Sequence, residues 1–248
     1  MIARLLAHTA LLALLGGARA AAADGQIYLT WDDCAAQGLH NQASACLSNE
    51  GSTMLYSSFV LDGAVDGVVG IQVTIDLQHS ASAMPDWWRL QGPGECRDGA
   101  LHVSGAFGIA EVACEDPWRQ LGGGEVLYDV GVAPRQPNQA RIVGTWAIPA
   151  DSARALRAGV LYYGLKFRID NARTVFPGEC PGCNQPVCLV LNRVELLREF
   201  GADPPLVALE TSGPDEARRA TWLGGAGASC EAVPVRARTW GQIKSLYR

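Results

Sequence analysis

The chain is built of short stretches in which apolar and polar residues alternate, cut apart by glycine and proline. In residues 70–78 (GIQVTIDLQ), Ile71, Val73, Ile75 and Leu77 fall on one face and Gln72, Thr74, Asp76 and Gln78 on the other. That period of two is the mark of a strand with one face buried. Residues 160–170 (VLYYGLKFRID) repeat the pattern: Leu161, Tyr163, Leu165, Phe167 and Ile169 share a face, while Lys166, Arg168 and Asp170 point away. Shorter strands are predicted at 26–31, 54–61, 86–90, 100–107, 125–132, 141–148, 187–197 and 206–210. Asp-Gly pairs at 62–63, 66–67 and 98–99, Gly92-Pro93-Gly94 and Gly122-Gly123-Gly124 supply turns between many of them. Many short strands with frequent turns predict an all-β fold, an antiparallel β-sandwich of jelly-roll or cohesin-like type. The helices a βαβ fold needs are missing from the pattern.

Helical spacing is scarce. Residues 150–157 (ADSARALR) read as a short turn before the long strand. The tail 239–248 (TWGQIKSLYR) places Thr239 and Gln242 at capping-box spacing, with Trp240, Ile243, Leu246 and Tyr247 along one side, which predicts a short C-terminal helix. Residues 201–238 are richer in Gly, Pro and Ala. The expected organisation is a sandwich over 21–200 and an extension over 201–248 that wraps it loosely.

The N-terminus changes the picture of where this chain works. Arg4 precedes the apolar run 5–15, and Ala18-Arg19-Ala20 offers a small-x-small cleavage pattern. Residues 1–20 therefore read as a secretory signal peptide, too short for a membrane span. No later apolar run reaches spanning length. The formal charge is −5, and cleavage after Ala20 would remove Arg4 and Arg19 and no acid. There is no basic block and no interleaving of Lys/Arg with aromatics, which argues against a nucleic-acid partner. Only Lys166 and Lys244 are lysines.

Eight cysteines after a secretory signal point to disulfides. Cys34 and Cys46 bracket a polar loop, and Cys96 and Cys114 bracket a strand, so local pairs Cys34–Cys46 and Cys96–Cys114 are the simplest expectation. GECPGCNQPVC holds Cys180, Cys183 and Cys188; with Cys230 these could offer zinc four thiolates, or Cys180-Pro-Gly-Cys183 could be a redox motif. The second C-x2-C of a zinc site is missing, and so is the helix a reactive C-x-x-C opens. The expectation is Cys180–Cys188 with Cys183–Cys230, no metal and no cofactor.

Catalytic signatures such as H-E-x-x-H, G-x-S-x-G, a P-loop or a G-x-G-x-x-G on a strand-turn-helix are missing. His40, His79 and His102 are widely spaced. Asp32, Asp33, Asp62, Asp66, Glu111, Glu115 and Asp116 could furnish a hydrolase's carboxylate pair only if folding brings two together. Asp62 and Asp66 flank a turn of the kind calcium uses, without the D-x-D-x-D-G spacing. The best ligand signal is aromatic. Trp87 and Trp88 are adjacent on a predicted strand, so one is expected to face outward and stack on a sugar ring, assisted by Trp118.

The alternation at 70–77 followed by LRAGVLYYGLKF (156–167) resembles cohesin-like and related carbohydrate-module sandwiches, in which a small turn also precedes a long strand. TWDDC (30–34), CPGCNQPVCLVLN (180–192) and TWGQIKSLYR resemble a group of secreted proteins of environmental bacteria with no known activity. Neither resemblance transfers a functional residue. Together the observations predict a secreted or cell-surface, disulfide-stapled, non-catalytic binding module for a glycan or a surface protein. Trp87, Trp88 and Trp118 are its candidate contacts. The alternatives are a purely structural extracellular protein and an extracellular hydrolase.

Overall fold

The computed structural model describes residues 21–131, 135–211 and 215–225. They form β1 (Ala21–Trp31), β2 (Asn41–Gln42), β3 (Ser52–Leu61), β4 (Val65–His79), β5 (Leu101–Ser104), β6 (Gly123–Val130), β7 (Gln139–Ala147), β8 (Arg154–Leu156), β9 (Leu161–Asp170), β10 (Val187–Arg198), β11 (Leu206–Thr211) and β12 (Arg219–Trp222). Helix among the described residues is limited to 3-10 turns of three or four residues. The chain is predominantly β, as the alternation predicts. The predicted C-terminal helix lies outside the described residues.

The hydrogen-bonded path runs β5-β9-β3-β1-β11-β10-β4-β7-β6, with β12 on β10 and β2, and β8 on β4. Pairing is antiparallel except for β1–β11 and β2–β12. The segment after residue 200 does not simply wrap the core. β11 sits inside the path between β1 and β10, and the long β10 gives its second half to β11 and its first half to β12. Gly201, Pro204 and Pro205 belong to the connection between β10 and β11.

The path folds back so that β9 faces β7. A Cβ on Gly144 of β7 would lie 2.6 Å from a Phe167 ring carbon of β9, so glycine is what lets the two layers close. Ile71, Val73, Ile75 and Leu77 of β4 are buried with Tyr163, Leu165, Phe167 and Ile169 of β9, as their alternation predicts. The opposite face of β4 departs from expectation, because Thr74 and Asp76 are buried too. Asp76 is matched there by Arg141 of β7 and by Asn192 of β10, so the outward face at this point carries a polar network.

Residues 86–88 form a 3-10 turn, not the predicted strand. Pro85 has no N–H for a ladder, and its carbonyl instead accepts the Trp88 N–H at 2.9 Å. In such a turn neighbouring side chains are not thrown to opposite sides as they are on a strand, so both rings can enter the core. Trp87 and Trp88 join Trp31 and Trp222 there, all fully buried.

Candidate functional site

The three tryptophans expected to stack a sugar are inside the protein. Trp87, Trp88 and Trp118 have no exposed surface. Trp118 Nε1 donates to the Gly164 carbonyl at 2.9 Å and Trp87 Nε1 to Thr174 Oγ1 at 2.9 Å, so two of the three polar edges are committed internally. Their burial removes the outward ring on which a sugar-stacking role depends; these side chains serve as core.

The cysteines pair over long range: Cys34–Cys114, Cys46–Cys183 and Cys96–Cys180. The expected local pairs Cys34–Cys46 and Cys96–Cys114 do not form, nor do Cys180–Cys188 and Cys183–Cys230. Cys188 is also disulfide-bonded, and Cys230 lies outside the described residues. For Cys96 and Cys114 the reason is strand geometry. Between Cys96 and Cys114 the chain runs along β9 from Ile169, opposite Leu101, to Tyr162, opposite Glu115. Those seven steps cover about 23 Å at roughly 3.3 Å each, whereas a bridge spans at most about 7 Å between Cα atoms. Cys96 and Cys114 are thus held at opposite ends of a strand.

The segment 180–183 is the joint of this arrangement. Cys180 ties it to the loop before β5 across 84 residues, and Cys183 ties it to the loop before β3 across 137. In a chain-entropy account, loops this long make each bridge worth roughly 4–5 kcal/mol. Pro181 accepts the Trp87 backbone N–H at 2.9 Å, and Cys183 accepts the Trp222 indole N–H at 2.7 Å. Gly182 has φ of +110°, and a Cβ there would lie 2.3 Å from Pro85 Cβ, so only glycine fits.

The same end of the molecule holds out two large apolar side chains. Leu47 is 81% exposed and Phe176 is 82% exposed. The loops that carry them are braced. The Asn49 amide donates to Val175 O at 3.1 Å and accepts the Val175 N–H at 2.9 Å. Asn171 donates to the Glu50 and Gly51 carbonyls. Thr174, which receives the Trp87 indole N–H, donates its own hydroxyl to Asn171 O at 2.6 Å. Beside these loops an open cleft of about 330 Å³ is lined by Glu95, Cys96, Arg97, Asp98, Asp170 and Arg173. Arg97 is buried, lies 3.7 Å over the Trp87 ring and donates to the Trp87, Ala172 and Asp170 carbonyls. Burial lowers its guanidinium to about 10, with Asp170 and Tyr128 pulling the other way, so it stays charged at neutral pH. Sequence reasoning missed Leu47 and Phe176, since a single apolar residue in a loop is ordinary.

Of the candidate acids, Asp33 and Glu111 are gathered around one pair of rings. Tyr163 donates to Asp33 at 2.7 Å, and Tyr56, whose ring centre is 6.1 Å from that of Tyr163, donates to Glu111. Lys166 reaches both Glu111 oxygens at 2.8 and 2.9 Å, and the Gly108 N–H donates to the same carboxylate. Burial and the adjoining carboxylates raise both tyrosines well above the usual phenol range. Asp116 is spent on the Trp118 and Arg119 N–H groups, Glu115 on the exposed Arg157, and Asp62 and Asp66 are exposed. Among the described residues no three His, Cys, Asp or Glu side chains cluster as metal ligands.

Burial pushes the Glu111 carboxyl up, but hydrogen bonds from Lys166, Tyr56 and Gly108 and the Lys166 charge outweigh it, and its pKa is lowered. A carboxyl depressed in the folded state contributes stability that is fully present above its ordinary range and is lost as pH falls through the folded value. Glu111→Gln is therefore expected to be less stable than wild type at neutral pH, with the gap closing on acidification. Melting temperatures of both proteins across the acid range check this; a gap independent of pH would contradict it.

No protein-family model and no curated protein sequence matches the chain. Among the described residues no helix is long and apolar enough to cross a membrane. Three long-range disulfides suit an oxidising, extracytoplasmic setting. Residues 1–20, with the signal-peptide pattern, lie outside the described residues.

Proposed function

We propose that the protein is a secreted, disulfide-clamped β-sandwich that works by binding, with the loop end around Leu47 and Phe176 as its contact surface. One observation carries this reading: two large apolar side chains stand about four-fifths exposed on loops held by Cys46–Cys183, Cys96–Cys180 and the Asn49–Val175 pair. Apolar tips on braced loops bind without a large ordering cost, which is what preorganisation provides. Their chemistry suits a protein surface better than a sugar, because every tryptophan among the described residues is buried. Binding is put ahead of hydrolysis because Asp33 and Glu111 are engaged by tyrosines, a lysine and backbone N–H groups.

The test is a pair of substitutions, Leu47→Ser and Phe176→Ser, on protein presented to arrays of extracellular ectodomains and of glycans. Both variants should unfold within about 0.5 kcal/mol of wild type, since the side chains make surface contacts only. Capture of an ectodomain by wild type should fall about tenfold or more in the variants. Wild-type capture that both variants retain in full would contradict the reading, as would capture by neither array.

A further inference from the structure

Trp222 is the hub of the buried indoles. Its ring centre lies 5.2 Å from that of Trp87, 5.5 Å from Trp88 and 5.8 Å from Trp31, and all four rings are shut off from water. Ultraviolet excitation taken up by any of them passes readily to its neighbours at such separations. Trp222 Nε1 donates to the carbonyl of Cys183 at 2.7 Å, so one peptide group separates this indole from the Cys46–Cys183 bridge. Cys183 belongs to the same hydrophobic core as the four rings, and Cys46 packs against it. An excited indole is a strong one-electron reductant, and a disulfide is the protein group that most readily accepts that electron.

The other bridges are placed less well for this. Trp87 lies near Cys96–Cys180, because its backbone N–H meets Pro181 O. However, the Arg97 guanidinium covers the Trp87 ring at 3.7 Å. A cation on the ring face makes the indole radical cation more costly, by the same electrostatics that make the cation–π contact favourable. The electron vacancy is thereby directed away from Trp87 and toward Trp222. Cys34–Cys114 lies near Tyr163, whose hydroxyl donates to Asp33, the residue before Cys34, at 2.7 Å; tyrosine does not absorb at the red edge of the tryptophan band. Cys188 pairs with Thr221, next to Trp222 in the strand, so alternation turns it to the opposite face of the sheet.

We propose that the indole cluster is a photochemical electron donor and Cys46–Cys183 its acceptor, so that near-ultraviolet light opens this bridge ahead of Cys96–Cys180 and Cys34–Cys114. One electron leaves the excited Trp222 indole and enters the bridge, giving an indole radical cation and a disulfide radical anion. The radical anion splits into a thiolate, which takes a proton from solvent, and a thiyl radical. The indole radical cation loses its Nε1 proton and becomes neutral. No added oxidant or reductant enters. Opening the bridge unties the loop carrying Leu47 from segment 180–183. That last consequence rests on the binding reading above; the electron transfer does not.

The experiment irradiates the folded wild-type protein without oxygen at the red edge of the tryptophan band, alkylates the new thiols and maps them by peptide mass. A spin trap captures the thiyl radical. Alkylation and trapping at Cys46 and Cys183 several-fold faster than at Cys96, Cys180, Cys34 and Cys114 is the expected result. Equal labelling of all three bridges, faster labelling at Cys96 and Cys180, or no labelling overturns it. Trp222→Phe should slow labelling at Cys46 and Cys183 several-fold. If that variant does not fold, the wild-type map decides alone. Labelling at Cys46 and Cys183 with ectodomain capture unchanged would keep the photochemistry and remove its link to binding.

Discussion

Trp222→Ala is expected to lower the unfolding free energy by about 3–5 kcal/mol, a large share of the roughly 5–15 kcal/mol that holds a domain folded. The indole is fully buried and touches three other tryptophan rings. Removing it leaves a cavity at the centre of a cluster whose remaining members are clamped by strands and bridges, so collapse around the gap is restricted. It also leaves the Cys183 carbonyl without its indole donor, and an unsatisfied buried acceptor costs about 1–3 kcal/mol of its own. Trp222→Phe keeps most of the ring volume and should lose markedly less. Denaturant unfolding followed by circular dichroism measures both. A loss near 1 kcal/mol for the alanine variant would mean that the cluster is not packed as described.

Asp76→Ala should be nearly as damaging, for a different reason. Asp76 is 3% exposed and faces Arg141 across β4 and β7. Arg141 Nε and Nη2 meet its two oxygens at 2.6 and 2.8 Å, and Asn192 Nδ2 adds a third contact at 2.6 Å. Taking away the carboxylate leaves a mostly buried guanidinium without this counter-charge, which typically costs about 3–5 kcal/mol. The pair itself need not be a net gain over apolar packing. The double substitution Asp76→Leu with Arg141→Met is accordingly expected to recover much of the loss. Urea midpoints of the single and double variants test this. A single-variant loss under about 1 kcal/mol would place the pair with solvated surface bridges.

Strands were legible where one face must be apolar. The apolar positions of the alternations at 70–78 and 160–170 became core faces of β4 and β9, as a period of two requires, although Thr74 and Asp76 on the other face of β4 are buried as well. Pattern failed where local chemistry overrode it. Pro85 turned the predicted strand at 86–90 into a 3-10 turn and carried both tryptophans inward. β2, β8 and β12 span two to four residues, too short for a period to register. Asp76 read as a solvent-facing residue because its partners, Arg141 and Asn192, are 65 and 116 residues away. The expected Cys96–Cys114 pair fails for a related reason: closeness in sequence ignores that the extended stretch between them separates its own ends. The Lys166 network was not legible either, because Glu111 and Tyr56, which complete it, come from a loop and a different strand. Leu47 and Phe176 gave no signal, since their meaning lies in the bridges beneath them.

Those bridges are the most direct point of attack. Peptide mapping of the unreduced, folded protein, with fragments identified before and after reduction, reads the connectivity without any assumption about function. The structure predicts fragments joining Cys34 to Cys114, Cys46 to Cys183 and Cys96 to Cys180. Fragments joining Cys34 to Cys46, Cys96 to Cys114 or Cys180 to Cys188 would undo the clamp at segment 180–183, and with it the braced surface on which the proposed binding depends.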